Sequence, residues 1–173
     1  MEKFKYFAYG SNMLAERLQE RCPSATAISV AIATGWSLDF SKKSKDDSGK
    51  ATIFSTKSGR VYGVVFEIAK SEMGALDKAE GCGFGYERND AFTVSIIDST
   101  DTIDAVTYIA SSGHRDDKLV PYDWYKGLVI AGANENRLPA EYISCLNNFP
   151  ANPDQKEDRK SRLEALKILK KTK

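Results

Sequence analysis

The sequence predicts an α+β fold, on three observations. Its segments run strand, helix, several strands, then helices, an order that separates the two structure types instead of alternating them as a parallel α/β sheet does. Apolar residues make up 42% of the chain against 28% charged, enough for a packed core. The 173 residues amount to one domain, or one domain plus a tail, and contain no internal repeat.

The first strand, residues 5–9 (KYFAY), is a short aromatic run that stops at Gly10. Past Gly10-Ser11-Asn12, the residues Leu14, Arg17, Leu18 and Arg21 recur every three or four positions, which predicts a helix ended by Pro23. Residues 27–40 are rich in β-branched and aromatic side chains and read as strand, with Gly35 as a break. Residues 42–50 (KKSKDDSGK) read as a charged loop, and residues 51–55 and 60–68 flank Lys57-Ser58-Gly59 as a hairpin. Residues 71–80 (SEMGALDKAE) form a short helix with Ser71 as N-cap, ended by Gly81, Gly83 and Gly85. A second strand pair, 92–97 and 105–110, surrounds an acidic, Ser/Thr-rich turn. Residues 123–132 place Tyr125, Leu128, Val129 and Gly132 on one helical face. Pro139 then suits the first turn of a further helix carrying Tyr142, Leu146 and Phe149.

Charge divides the chain unevenly. Residues 156–173 hold eight Lys or Arg against three Asp or Glu, so a total of +1 conceals a +5 end and a −4 remainder. Leu163, Leu166, Ile168 and Leu169 give that end one apolar stripe. Residues 151–173 are therefore expected to be a basic, helical tail on a domain spanning 1–150, either docked loosely or reserved for a partner or anionic surface. Near-neutral charge argues against nucleic acid, whose binders usually show a basic excess. The longest apolar run, residues 127–133 (GLVIAGA), falls far short of the ~18 residues a membrane span needs. The opening MEKFKYFAYG carries charges where a signal peptide is apolar, so a cytoplasmic protein with no membrane partner is expected.

Two scarce residue types narrow the chemistry. Cys22, Cys82 and Cys145 are too few, and odd in number, for a disulfide framework, and suit a reducing compartment. No Cys-x-x-Cys or His-Cys cluster is present, so no metal site is expected. The single histidine, His114, lies in the polar segment SSGHRDDK and reads as a solvated loop residue. Carboxylates and backbone donors are left to carry any hydrolase-like chemistry.

Two segments can supply them. Tyr9-Gly10-Ser11-Asn12 ends a strand and opens a helix, where unpaired N–H groups point one way and attract an anion; the same pattern serves an ordinary turn with an Asn cap. In the 71–80 helix, Met73, Leu76 and Glu80 share a face by their spacing, and the apolar pair turns that face inward. Burial and the helix dipole then both raise the pKa of Glu80 toward that of a neutral-pH acid–base catalyst. A frayed helix end with Glu80 in water fits the same spacing, and Asp77 is the competing carboxylate. Tyr86, Tyr108, Tyr122, Trp124 and Tyr125 lie near loops and can wall a small pocket or simply fill the core.

Taken together, YFAYGSN (6–12), ATIF (51–54), VYGVVF (61–66), LDKAEG (76–81) and YKGLVIAGANENRLPAEY (125–142) resemble the γ-glutamylcyclotransferase family. The resemblance covers residues 5–150. It implies a small mixed β-barrel with surrounding helices, often a homodimer, that releases 5-oxoproline from a small γ-glutamyl amide with no metal or organic cofactor. By the same resemblance Glu80 matches the catalytic glutamate. Tyr6, Phe7, Ala8, Tyr9, Gly10, Ser11 and Asn12 match the loop that holds the glutamyl group, Tyr125 matches a pocket tyrosine, and Tyr86 and Tyr108 match pocket aromatics more loosely. Asn12 stands where glutathione-cleaving branches carry leucine, which favours γ-glutamyl amino acids. EGCGFGYER resembles bacterial members, some of which act on a γ-glutamyl amine or an antibiotic precursor. A non-catalytic binding module on the same fold is the remaining alternative. Cyclisation needs only one carboxyl to move a proton from the α-amine to the leaving nitrogen, together with donors for the oxyanion, each worth roughly 3 kcal/mol.

Overall fold

Five strands close into a barrel in the computed structural model, which describes residues 2–172. Met1 and Lys173, the outermost residues of the two expected segments, lie outside the described residues. The strands are β1 (Lys3–Ala8), β2 (Thr26–Lys43), β3 (Gly49–Ala69), β4 (Tyr86–Ile96) and β5 (Thr102–Ala110), arranged in the order β1-β3-β2-β4-β5. Every neighbouring pair is antiparallel except the closing one, where β1 meets β5 in parallel at Tyr6 and Val106. The α+β, mixed-barrel architecture is thus the one expected.

Closure removes the sheet edges and leaves an interior to be filled by side chains. Phe7, Ile53, Val61, Val65 and Phe66 are fully buried, and the Phe7 ring stacks on Phe92 at 5.9 Å. Each such residue stabilises the fold by about 1.5–3 kcal/mol through burial. Gly63 has no side chain because the Phe7 ring and the Ala8 carbonyl occupy that space; a Cβ there would lie 2.4 Å from the carbonyl oxygen.

The expected hairpin at Lys57-Ser58-Gly59 is not formed. Ser55 pairs with Trp36 and Arg60 with Thr34, so both flanking segments lie along the same partner strand. The residues between them are a bulge in one continuous strand, opposite Gly35, whose φ of +83° marks the bend. A bulge and a turn use the same residue chemistry, which is why the local sequence misleads. The true β2–β3 turn is made by residues 44–48, the middle of the expected charged loop.

The helices are α1 (Ala15–Gln19), α2 (Met73–Glu80), α3 (Asp123–Glu135), α4 (Ala140–Asn148) and α5 (Lys160–Lys171), and a 3-10 turn spans Ser11–Met13. Ser71 does not cap α2: it lies in a 3-10 turn before the helix, and no side chain caps that end. The neighbouring Glu72 instead accepts the Ser24 hydroxyl at 2.7 Å. Helix α3 runs one turn past the expected Gly132. Among the described residues no helix is long and apolar enough to cross a membrane.

The basic end packs on α3. Ala165 and Ile168 of α5 are buried there, while Leu163 and Leu166 stay exposed. Asp154, itself buried, accepts the Trp124 indole N–H at 3.0 Å and the Arg159 guanidinium at 2.5 Å, tying the segment before α5 to α3. The hydrogen bonds from Arg159 hold the Asp154 carboxyl down at about 2. A depressed carboxyl stabilises the fold above its unfolded pKa and loses that contribution as pH falls through its folded one. Asp154→Ala is therefore expected to lower the thermal midpoint at pH 7, with the gap to wild type closing as pH falls toward 2, in an unfolding series across that range.

Candidate active site

Strand β1 ends at Ala8, and the chain turns at Gly10 into the 3-10 turn Ser11–Met13. The turn passes so close to β3 that a Cβ on Gly10 would sit 3.2 Å from the Ala51 side chain and 3.6 Å from the Tyr125 hydroxyl. The 3-10 turn that follows bonds Met13 N–H to the Gly10 carbonyl. Among the described residues, no group of the chain accepts the N–H of Gly10, Ser11 or Asn12. Three backbone donors therefore stand free at one spot, an arrangement suited to a carboxylate or an oxyanion.

Glu80 reaches the same spot from α2. The helix buries Leu76 and ends at Gly81, whose left-handed conformation (φ +65°) stops it one residue after the glutamate. The residue as a whole is only partly buried, but its carboxylate points inward and accepts the Asn12 side-chain amide at 2.5 Å. That amide also donates to the Tyr6 hydroxyl at 3.2 Å, and its oxygen accepts from Arg21 at 3.0 Å. An arginine can only donate and a carboxylate accepts, so the two neighbours fix the Asn12 amide in one orientation. Burial pushes the Glu80 carboxyl above its ordinary 4.5, against the pull of Arg21 and Arg17. Arg17 donates to the Ser11 hydroxyl at 3.0 Å, and burial lowers its own pKa to about 10, so it remains charged.

A narrow pocket, with a cavity volume of about 30 Å³, lies between these groups. Tyr6, Tyr9, Tyr86, Tyr108 and Tyr125 wall it, together with Gly10, Ser11, Asn12, Ala51 and Glu80. Every tyrosine hydroxyl is engaged. Tyr9 donates to the Tyr108 carbonyl and Tyr86 to the Ala51 carbonyl, while Tyr125 accepts the Ala51 N–H at 3.2 Å. Burial holds all of these phenols above their ordinary pKa, so they stay neutral in the pocket.

The sequence-predicted residues mostly converge. Phe7 and Ala8 do not line the pocket; Phe7 enters the barrel core, and its carbonyl accepts the Thr107 hydroxyl. Asp77, the competing carboxylate, does not line the pocket. It pairs with Arg88 at 2.6 Å and accepts the Tyr108 hydroxyl at 2.7 Å, which fixes one pocket wall. His114 is an exposed loop residue bonded to Ser111, outside the pocket. Sequence reasoning missed Ala51, for which no local signal exists, and the roles of Arg17 and Arg21. Their i,i+4 spacing directly after the loop was the available sign that both guanidiniums face it.

Comparison with known proteins finds relatives over most of the chain. The AIG2-like family matches residues 60–146. A γ-glutamylcyclotransferase of Bos taurus is 37% identical over 156 residues, covering 87% of this chain and 81% of its own, and that of Homo sapiens is 35% identical over the same span. A solved γ-glutamyl cyclotransferase structure superposes with a TM-score of 0.88 at 33% identity, covering 98% of this chain and 99% of that one. With so much of each chain aligned at these identities, this protein belongs to the AIG2-like, γ-glutamylcyclotransferase family.

Proposed function

We propose that this protein converts γ-glutamyl amino acids into 5-oxoproline and a free amino acid, with Glu80 as the single proton carrier. The observation that carries the reading is one carboxyl, its pKa raised by burial, sharing a narrow pocket with three unpartnered backbone N–H groups. The Gly10–Asn12 donors hold the glutamyl α-carboxylate or the oxyanion. Glu80 takes a proton from the α-amine, whose nitrogen then attacks the γ-carbonyl carbon of the same molecule. The tetrahedral adduct collapses with rupture of the C–N bond, and Glu80 returns the proton to the departing nitrogen. Atoms and charge balance with no outside reactant. The tyrosine walls fold the flexible glutamyl chain toward its ring, where intramolecular attack is fast. Three cysteines, all unpaired, fit the reducing cytosol expected from the sequence.

The test is 5-oxoproline release from γ-glutamyl-alanine across a pH series. Glu80 must be ionised to accept the proton, so kcat/KM rises as pH climbs through its pKa. Because that pKa is raised, the acid limb is expected above the ordinary carboxylate value of 4.5. A limb at or below that value would remove Glu80 as the base, and no release of 5-oxoproline would remove the function.

A further inference from the structure

We propose that Lys42 is a specificity residue that seats the carboxylate of the leaving amino acid, resting on the cyclotransferase reading above. Lys42 and Lys50 are direct cross-strand partners in the β2–β3 ladder, so their side chains leave the same face of the sheet. Like charges in that relation repel, and a fold keeps such a pair only when something offsets it. For Lys50 the offset is visible. Its ammonium bonds Asp46 and Ser48, each at 2.9 Å, and lies over the rings of Trp124 and Tyr125 at 4.7 and 4.6 Å.

Lys42 has no such partner. Its ammonium rests over the Tyr86 ring at 4.8 Å, and among the described residues no carboxylate, carbonyl or hydroxyl accepts from it. The position is nonetheless built. A Cβ on Gly85 would lie 3.0 Å from the Lys42 Cε and 3.4 Å from its Nζ, so the absence of a side chain at Gly85 makes the channel along which the lysine stem runs. Tyr86 is a pocket wall, and the charges of Glu80 and Asp46 both act on the Lys42 ammonium. A half-buried cation without an anion is thus held over the ring of Tyr86, one wall of the reaction pocket.

The chemistry says what fits there. With the α-carboxylate on the Gly10–Asn12 donors and the γ-carbonyl near Glu80, the leaving nitrogen and its substituent extend toward the Tyr86 wall. In a γ-glutamyl amino acid, a carboxylate sits one carbon from that nitrogen and supplies the missing anion. A simple γ-glutamyl amine offers nothing, and leaves a partly desolvated ammonium unpaired.

Two substrates isolate this contact, because γ-glutamyl-alanine and γ-glutamyl-ethylamide differ only by the carboxylate. The ratio of their kcat/KM values in the full chain is expected to favour alanine and to fall by about tenfold or more in Lys42→Met. Lys42→Arg should retain most of the preference. An unchanged ratio overturns the inference. So does an equal fall on both substrates, which would mean that Lys42 acts only through the field at Glu80. Either result leaves the cyclotransferase reading standing, whereas absence of 5-oxoproline from both substrates with wild-type protein overturns the two together.

Discussion

Glu80→Gln is expected to cut turnover of γ-glutamyl-alanine by about 10²–10⁴-fold, the range for loss of a general acid–base group, while leaving the fold at least as stable at pH 7. The substitution keeps shape and one acceptor: the Asn12 amide, held by Arg21 in the orientation that aims its nitrogen at residue 80, can still donate to the new side-chain oxygen. What disappears is the capacity to take a proton. The stability sign follows from the raised pKa. In the unfolded chain the carboxyl titrates near its ordinary value, and in the fold burial holds it higher. Its contribution is therefore greatest at low pH and declines as pH rises through the folded pKa, so ionised Glu80 strains the fold at neutrality. Removing the charge exposes Arg17 and Arg21 to their mutual repulsion, which opposes the gain. The net upward shift of Glu80 shows that desolvation outweighs their attraction. The variant's thermal midpoint should equal or exceed that of wild type at pH 7, and the difference should shrink toward pH 4. Unimpaired turnover, or a variant that unfolds at neutral pH, would sink the assignment.

The parts of this site that were legible in the sequence are those set by local geometry. Met73, Leu76 and Glu80 share a helix face by spacing alone, and Gly81 announces the end of that helix, so an inward carboxylate could be read directly. The YGSN turn was legible for the same reason, since a glycine between a strand and a helix frees backbone donors. Spacing could not decide between Glu80 and Asp77. That choice depends on Arg88 and Tyr108, 11 and 31 residues from Asp77, whose hydrogen bonds engage its carboxylate and leave Glu80 as the one lining the pocket. The link from Asn12 to Glu80 spans 68 positions and leaves no trace in any window. Ala51 bonds Tyr125 and Tyr86 through its backbone N–H and carbonyl, groups that carry no residue-type signal. Strand alternation explains Phe7. Its side chain leaves the opposite face of β1 from Tyr6 and fills the barrel, so a loop that matches the family as one block divides between pocket and core. The tail's charge was plain, but its docking rests on Asp154 meeting Trp124 across 30 residues.

Gly132→Ala is expected to damage both stability and catalysis, although alanine is the better helix former by about 1 kcal/mol. Helix α3 crosses the Ser11–Met13 turn at this glycine, and a Cβ there would lie 2.5 Å from the Leu14 nitrogen and 2.8 Å from the Met13 carbonyl carbon. Both obstacles are backbone, which cannot rotate away. The Asn136 amide also clamps the contact by donating to the carbonyls of Met13 and Gly132, each at 2.9 Å. Relief therefore requires that α3 and the turn separate. Overpacking of this kind costs typically 1–3 kcal/mol, which exceeds the propensity gain over most of that range and lowers the midpoint by roughly 2–4 °C per kcal/mol lost. Separation also moves Tyr125, carried by α3, away from Ser11 and Asn12, carried by the turn, so kcat/KM falls with the midpoint. Gly127 in the same helix is the control. A Cβ there meets only the tip of Leu169 at 3.3 Å, a flexible side chain that can yield. Gly127→Ala should hold or raise the midpoint and keep activity, and equal behaviour of the two variants would show that α3 does not set the pocket's width.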